Sequence, residues 1–294
     1  MKHMPYLIIL ISLIFAFSSC SDSNFLDKTK IDGSILQGKT VATTDPISKQ
    51  IVIIVQNFDL TQNGFEYFGL CSGVILNSQY VLTAAHCAKN FESSRVVFTT
   101  DAHTEKQTNN IYKITSVAIH KDYLNSKKEY LVDLKHDIAL LKLERPIEGC
   151  DYDKNYLISA STTKYLESGL NSVLLNPTIA GYGKNKIKYT TTESFPINGI
   201  LKKAEIAVRD SQYFEKTILI DQHYKAGVCS GDSGGPLFTF RSGRPYLQAL
   251  AIAVVNNDLL SNDLKCNQQG LFLNLDFFKV WISEKLTELK NNGL

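Results

Sequence analysis

Residues 229–236 read CSGDSGGP. Turn chemistry accounts for three glycines in eight residues, because glycine goes where a chain turns sharply or another backbone comes close. It does not account for the Asp232–Ser233 pair or for the leading Cys229. A serine that attacks an amide near neutral pH needs a base to take its proton and donors to hold the oxyanion. A glycine-rich loop meets the second need, since it exposes a hydroxyl while backbone N–H groups converge on one point. The base has to come from elsewhere in the chain.

Two other segments make sense only beside this one. Residues 82–87 read LTAAHC, directly after VILNSQYV, and residues 136–143 read HDIALLKL. Taken singly, each has a bland reading: a serine in a turn, a packed histidine, an aspartate capping a strand. Together, in the order His, Asp, Ser, they resemble the signature segments of the chymotrypsin/trypsin-like serine protease family. The resemblance runs from about Ile35 to Leu289.

That resemblance implies an all-β fold of two antiparallel six-stranded β-barrels of the chymotrypsin-like, Greek-key kind, with a C-terminal α-helix. It implies serine endopeptidase activity through an acyl-enzyme, on protein or peptide substrates, with no cofactor and no metal. Carried over by position, Ser233 is the nucleophile, His86 the general base and then acid, and Asp137 the residue that orients the imidazole. The N–H groups of Gly231 and Ser233 form the oxyanion hole. His86 and Asp137 come from the first barrel and Ser233 from the second. The family's bridges correspond to Cys71–Cys87 and Cys229–Cys266, which leaves Cys150 unpaired, either buried as a small hydrophobe or an exposed thiol. A metal site at His86 and Cys87 is disfavoured, because adjacent residues do not easily bind one ion.

Family members are made as zymogens. Cleavage frees an apolar N-terminal residue whose ammonium pairs with the aspartate before the nucleophile, here Asp232. Ile35-Leu36-Gln37-Gly38 fits that motif best; Ile31, which follows Lys30, is the alternative. Where trypsin has the aspartate that selects Lys and Arg, this chain has Gly227. Val254 stands where the family has a pocket glycine, with Gly270 on the other side. The expected preference is for small or medium apolar side chains.

The N-terminus is of another kind. A charged start is followed by the apolar run Leu7–Phe17 and then Ser18-Ser19-Cys20. The run is short for a membrane span and suits a signal peptide. Residues 1–19 are therefore expected to be the signal peptide, and residues 20–34 a tether and propeptide. Residues 35–294 are the protease domain, with the first barrel at about 35–150 and the second at about 170–275. Cys20 resembles the acylated cysteine of a bacterial lipoprotein; simple secretion or a periplasmic location is the alternative. Export makes the other cysteines candidates for bridges. Apolar residues make up 44% and charged residues 20% of the 294, an ordinary globular balance. The formal charge of +2 gives no case for nucleic-acid binding.

Short β-branched runs between turn residues, among them Ile51–Gln56, Tyr80–Thr83, Ile111–Ile119, Ile138–Leu143, Leu201–Val208, Leu237–Phe240, Tyr246–Val255 and Leu271–Asn274, predict strands. Asp59–Tyr67 predicts a surface hairpin. Asp276–Lys290 places Phe278, Ile282, Leu286 and Leu289 at helical spacing, with Asp276 as the N-cap. The competing functional reading is a catalytically silent, protease-like binding protein at the cell surface. Such homologues usually lose a triad residue, and this chain keeps all three.

Overall fold

The computed structural model describes residues 35–61, 64–66, 69–102, 104–105, 108–126, 134–150, 177–183, 199–206, 211–214, 216–223, 225–255, 266 and 268–291. Residues 1–34, on which the expected signal peptide and tether with Cys20 and Ile31 fall, and residues 151–176 lie outside these residues.

The N-terminal strands are β1 (Lys39–Thr40), β2 (Ile51–Gln56), β3 (Asp59–Thr61), β4 (Gly64–Glu66), β5 (Gly69–Asn77), β6 (Tyr80–Thr83), β7 (Arg95–Val97), β8 (Ile111–Ile119) and β9 (Ala139–Leu143). Six of them close an antiparallel barrel in the order β2-β5-β6-β9-β8-β7. Strand β2, IVIIVQ, reads as an unbroken apolar run because Ile51 to Val55 are fully buried. The expected hairpin forms from β3 and β4, with Asp59 opposite Glu66.

The C-terminal strands are β10 (Thr178–Gly181), β11 (Lys202–Glu205), β12 (Ser211–Phe214), β13 (Thr217–Asp221), β14 (Pro236–Arg241), β15 (Arg244–Val255) and β16 (Gln269–Asn274). They form one sheet with β1, in the order β1-β11-β10-β14-β15-β16-β13-β12. The six inner strands are thus flanked by the short edge strands β1 and β12. The whole is the chymotrypsin fold expected from the sequence. Strands β12 and β13 were not among the expected ones: TILID and its partner are short and lie close to turn residues.

The C-terminal element starts differently from its sequence reading. Asn274, not Asp276, is the cap; its side chain accepts a hydrogen bond from the Asp276 N–H at 3.2 Å. A 3₁₀ turn, Leu275–Phe278, follows, and only then the α-helix, here α1 (Lys279–Asn291). Both residues are good caps, and the tight turn shifts the start by two positions. The apolar stripe behaves as its spacing predicts: Phe278, Ile282 and Leu289 are buried and Leu286 is half-buried. The Lys142 ammonium on β9 donates to the Leu289 carbonyl at 2.7 Å, tying the helix to the first barrel.

Ile282→Ala should lower stability by about 2–5 kcal/mol through the cavity it leaves. Val280→Ala, at a residue 72% exposed, should change it by no more than about 0.5 kcal/mol. Thermal melts of the two variants check this; equal losses would mean that the helix does not dock by this face.

Candidate active site

Antiparallel pairing of β6 with β9 sets Thr83 opposite Ala139. The segments just beyond this pair carry His86, on a 3₁₀ turn at Ala85–Ala88, and Asp137. Asp137 is fully buried, and both its oxygens are used. Oδ1 accepts the His86 backbone N–H at 2.9 Å, and Oδ2 lies 2.7 Å from His86 Nδ1. A carboxylate only accepts, so Nδ1 carries the hydrogen, which in the neutral imidazole leaves the lone pair on Nε2. Main chain and ring are thus held by one side chain, while the ring remains about a third exposed, at 35%.

Ser233 lies on the loop between Cys229 and β14. The loop is fastened to the first barrel mainly through Ser72, the fully buried residue after Cys71. The Ser72 N–H donates to the Ser233 carbonyl at 2.8 Å, and its hydroxyl donates to the Gly231 carbonyl at 3.1 Å. The same hydroxyl accepts the Tyr182 N–H at 3.0 Å. Cys87 Sγ, next to His86, lies 3.8 Å from the Ser233 carbonyl. His86 and Ser233 are therefore brought to the same junction. No hydrogen bond joins the Ser233 hydroxyl to His86 among the described residues, and such bonds often tighten only when substrate binds. Gly231 has φ +98°, a conformation that only glycine adopts readily. Among the described residues neither the Gly231 nor the Ser233 N–H has an acceptor, as an oxyanion hole requires.

Asp232, between them, points the other way and is fully buried. It accepts from the Gly183 N–H at 2.8 Å, the Cys229 N–H at 2.8 Å and the Ile35 N–H at 3.3 Å. Burial outweighs these donors and pushes its pKa up to about 6. Ile35 is itself fully buried and is held at φ +42°. Leu36 and Gly227 form a β-bridge beside it.

The cysteines expected to pair do so: Cys71 with Cys87 and Cys229 with Cys266, while the half-buried Cys150 lies outside both bridges and its thiol donates to the Ile147 carbonyl at 3.2 Å. The second bridge packs against Leu36. Val254 on β15 pairs directly with Gly270 on β16, after a bulge between Ala251 and Ala253. Gly227 and Gly270 both face the side chain of Gln222. The sequence offers no local signal for this, since Gln222 is one polar residue just past a short strand.

Two groups of metal-ligating residue types come together among the described residues. In one, Cys71 and Cys87 are consumed by their disulfide. The other sets His120, Asp122 and His136 behind Asp137, with the two imidazoles stacked at 4.9 Å. There the Lys216 ammonium donates to His136 Nε2 at 2.6 Å, so a cation already occupies the ligand position. Burial, then His136, holds His120 down to about 4; burial, then Lys216, lowers His136. Both rings are neutral at pH 7 and pack against Phe278, and His120 also packs against Trp281.

Residues 54–270 match the sequence profile of the trypsin family. The chain belongs to that family of serine proteases. A similar relative is serine protease SSP1 of Scolopendra subspinipes, 28% identical over 79% of this chain and 79% of the relative.

Gly234 tests the loop's seat. It has φ +81°, and a Cβ there would stand 2.1 Å from Thr83 Oγ1 and 2.3 Å from the Ser72 carbonyl. Gly234→Ala should dislodge Ser233 and abolish its labelling by a fluorophosphonate. Gly243→Ala, at an equally positive φ but with nothing within 4 Å, should leave labelling intact. Normal labelling of Gly234→Ala would contradict the seat described.

Proposed function

We propose that this chain is a serine endopeptidase in which Ser233, His86 and Asp137 act as a triad and Gly231 and Ser233 supply the oxyanion hole. The observation that carries this is the two-pronged Asp137–His86 pair, at 2.9 and 2.7 Å, set beside the Ser233 loop. His86 takes the Ser233 proton through Nε2 as the hydroxyl attacks the substrate carbonyl. Asp137 stabilises the imidazolium, and the two N–H groups hold the oxyanion. The proton then passes to the leaving amine, and water hydrolyses the acyl-enzyme by the same steps.

Activation belongs to the same proposal. In the uncut chain Ile35 already sits against Asp232, but it offers a neutral N–H and a strained φ. A β-branched residue at positive φ costs roughly 1–3 kcal/mol. Cutting before Ile35 abolishes that torsion and converts the N–H into an ammonium beside the carboxylate. The same cut separates the enzyme from lipid on Cys20, if the exported chain is anchored there. The two disulfides support export. The small-apolar preference drawn from Gly227, Val254 and Gly270 completes the reading.

A fluorophosphonate should label the wild-type protein cut before Ile35 and leave Ser233→Ala unlabelled. Ser233→Ala should lower the hydrolysis rate by on the order of 10⁴–10⁶. Labelling that persists in the variant, or none in the cut wild type, would overturn the proposal.

Cutting should also alter the pH dependence of stability. Asp232 has a raised pKa in the uncut fold, so its stabilising contribution is complete below pH 3.8 and is lost as pH rises through about 6. An ammonium partner lowers that pKa. The gain in Tm on cutting should therefore be larger at pH 7.5 than at pH 4; a gain independent of pH would contradict the pairing. Both melts use Ser233→Ala, which prevents self-digestion.

A further inference from the structure

Position 227 is where a charged-pocket protease carries its selecting side chain, and here it has none. The space is not empty. A Cβ on Gly227 would meet the Gln222 side chain at 2.2 Å from Oε1, 2.4 Å from Cδ and 2.6 Å from Cβ. A Cβ on Gly270, on β16, would stand 2.7 Å from the same Oε1. The carboxamide of Gln222 therefore lies between the two glycine backbones, in the volume toward which both missing side chains would project.

It is also fixed there. Gln222 is 1% exposed. Its Nε2 donates to the Val228 carbonyl at 2.8 Å and to the Cys266 carbonyl, and its Oε1 accepts the Val228 N–H at 2.9 Å. Both amide donors are spent, and the oxygen keeps one lone pair. A Lys or Arg head arriving here would lose its water and find a neutral, nearly saturated amide, which is unfavourable. A long apolar side chain would meet the carboxamide itself. A small apolar side chain meets neither obstacle.

We infer that Gln222 is the specificity-determining residue of this protease, its carboxamide plugging the base of the pocket so that the residue before the scissile bond must be small and apolar. The inference rests on the serine-protease reading above and adds the residue that enforces the substrate class.

The test uses protein cut before Ile35 and a set of peptidyl diphenyl phosphonates carrying Ala, Val, Phe or Lys analogues at the selecting position. Labelling rates at Ser233 are measured for wild type, Gln222→Ala and Gln222→Leu. The wild type should label fastest with the Ala and Val probes. Gln222→Ala, which removes the plug, should raise the Phe-to-Ala rate ratio by on the order of 10–100-fold. Gln222→Leu keeps the bulk without the hydrogen bonds and should keep the wild-type order. An unchanged ratio in Gln222→Ala, or equal slowing with every probe, would overturn the inference and leave the enzyme reading standing. A broadened Gln222→Leu would also overturn it, by showing that loop anchoring, and not occupied volume, sets the preference. If Gln222→Ala fails to fold, rapid wild-type labelling by the Phe or Lys probe still refutes the plug. No labelling by any probe would sink both readings.

Discussion

The site depends on one buried carboxylate. Asp232 accepts hydrogen bonds from three N–H groups far apart in the chain, those of Ile35, Gly183 and Cys229. Because it turns inward, its neighbours Gly231 and Ser233 have N–H groups free of internal acceptors among the described residues. A buried carboxylate hydrogen-bonded to neutral N–H groups, with the Lys202 charge acting more weakly than they do, is under-compensated. Its raised pKa is the signature of that deficit, and a cation at Ile35 is the natural remedy. The loop's conformation and the state of the N-terminus are thus one electrostatic problem.

Ser72 connects this problem to the first barrel. Through its N–H, hydroxyl and carbonyl it contacts Ser233, Gly231, Tyr182 and Thr83. His86 is held to the same barrel through Asp137 and through the Cys71–Cys87 bridge beside it. The proposed nucleophile, Ser233, and base, His86, therefore share a rigid support although they lie 147 positions apart in sequence. This is how a loop keeps the sub-ångström placement that acyl transfer needs.

Much of this was legible in the sequence. His86, Asp137 and Ser233 sit in three short segments whose order carries the resemblance, and the structure brings those segments to one junction. The cysteines paired as the resemblance implied. The continuously buried strand Ile51–Gln56 and the partly exposed strand Ile111–Ile119 match their sequence reading residue for residue. What escaped was set by distant contacts. Gln222 is defined by Cys266, 44 residues on, and Ser72 by Gly231, 159 residues on; neither has a local pattern. The helix start escaped for the opposite reason: Asn274 and Asp276 are near-equivalent caps, and a 3₁₀ turn decides between them.

The most direct test is the titration of the Asp232 carboxyl by ¹³C NMR in Ser233→Ala protein, before and after the chain is cut ahead of Ile35. The electrostatic account predicts a midpoint near pH 6 in the uncut chain and one well below it after the cut, as the new ammonium takes its place. The same midpoint in both forms would show that Ile35 does not supply the missing charge, and the link between N-terminus and nucleophile loop would fall.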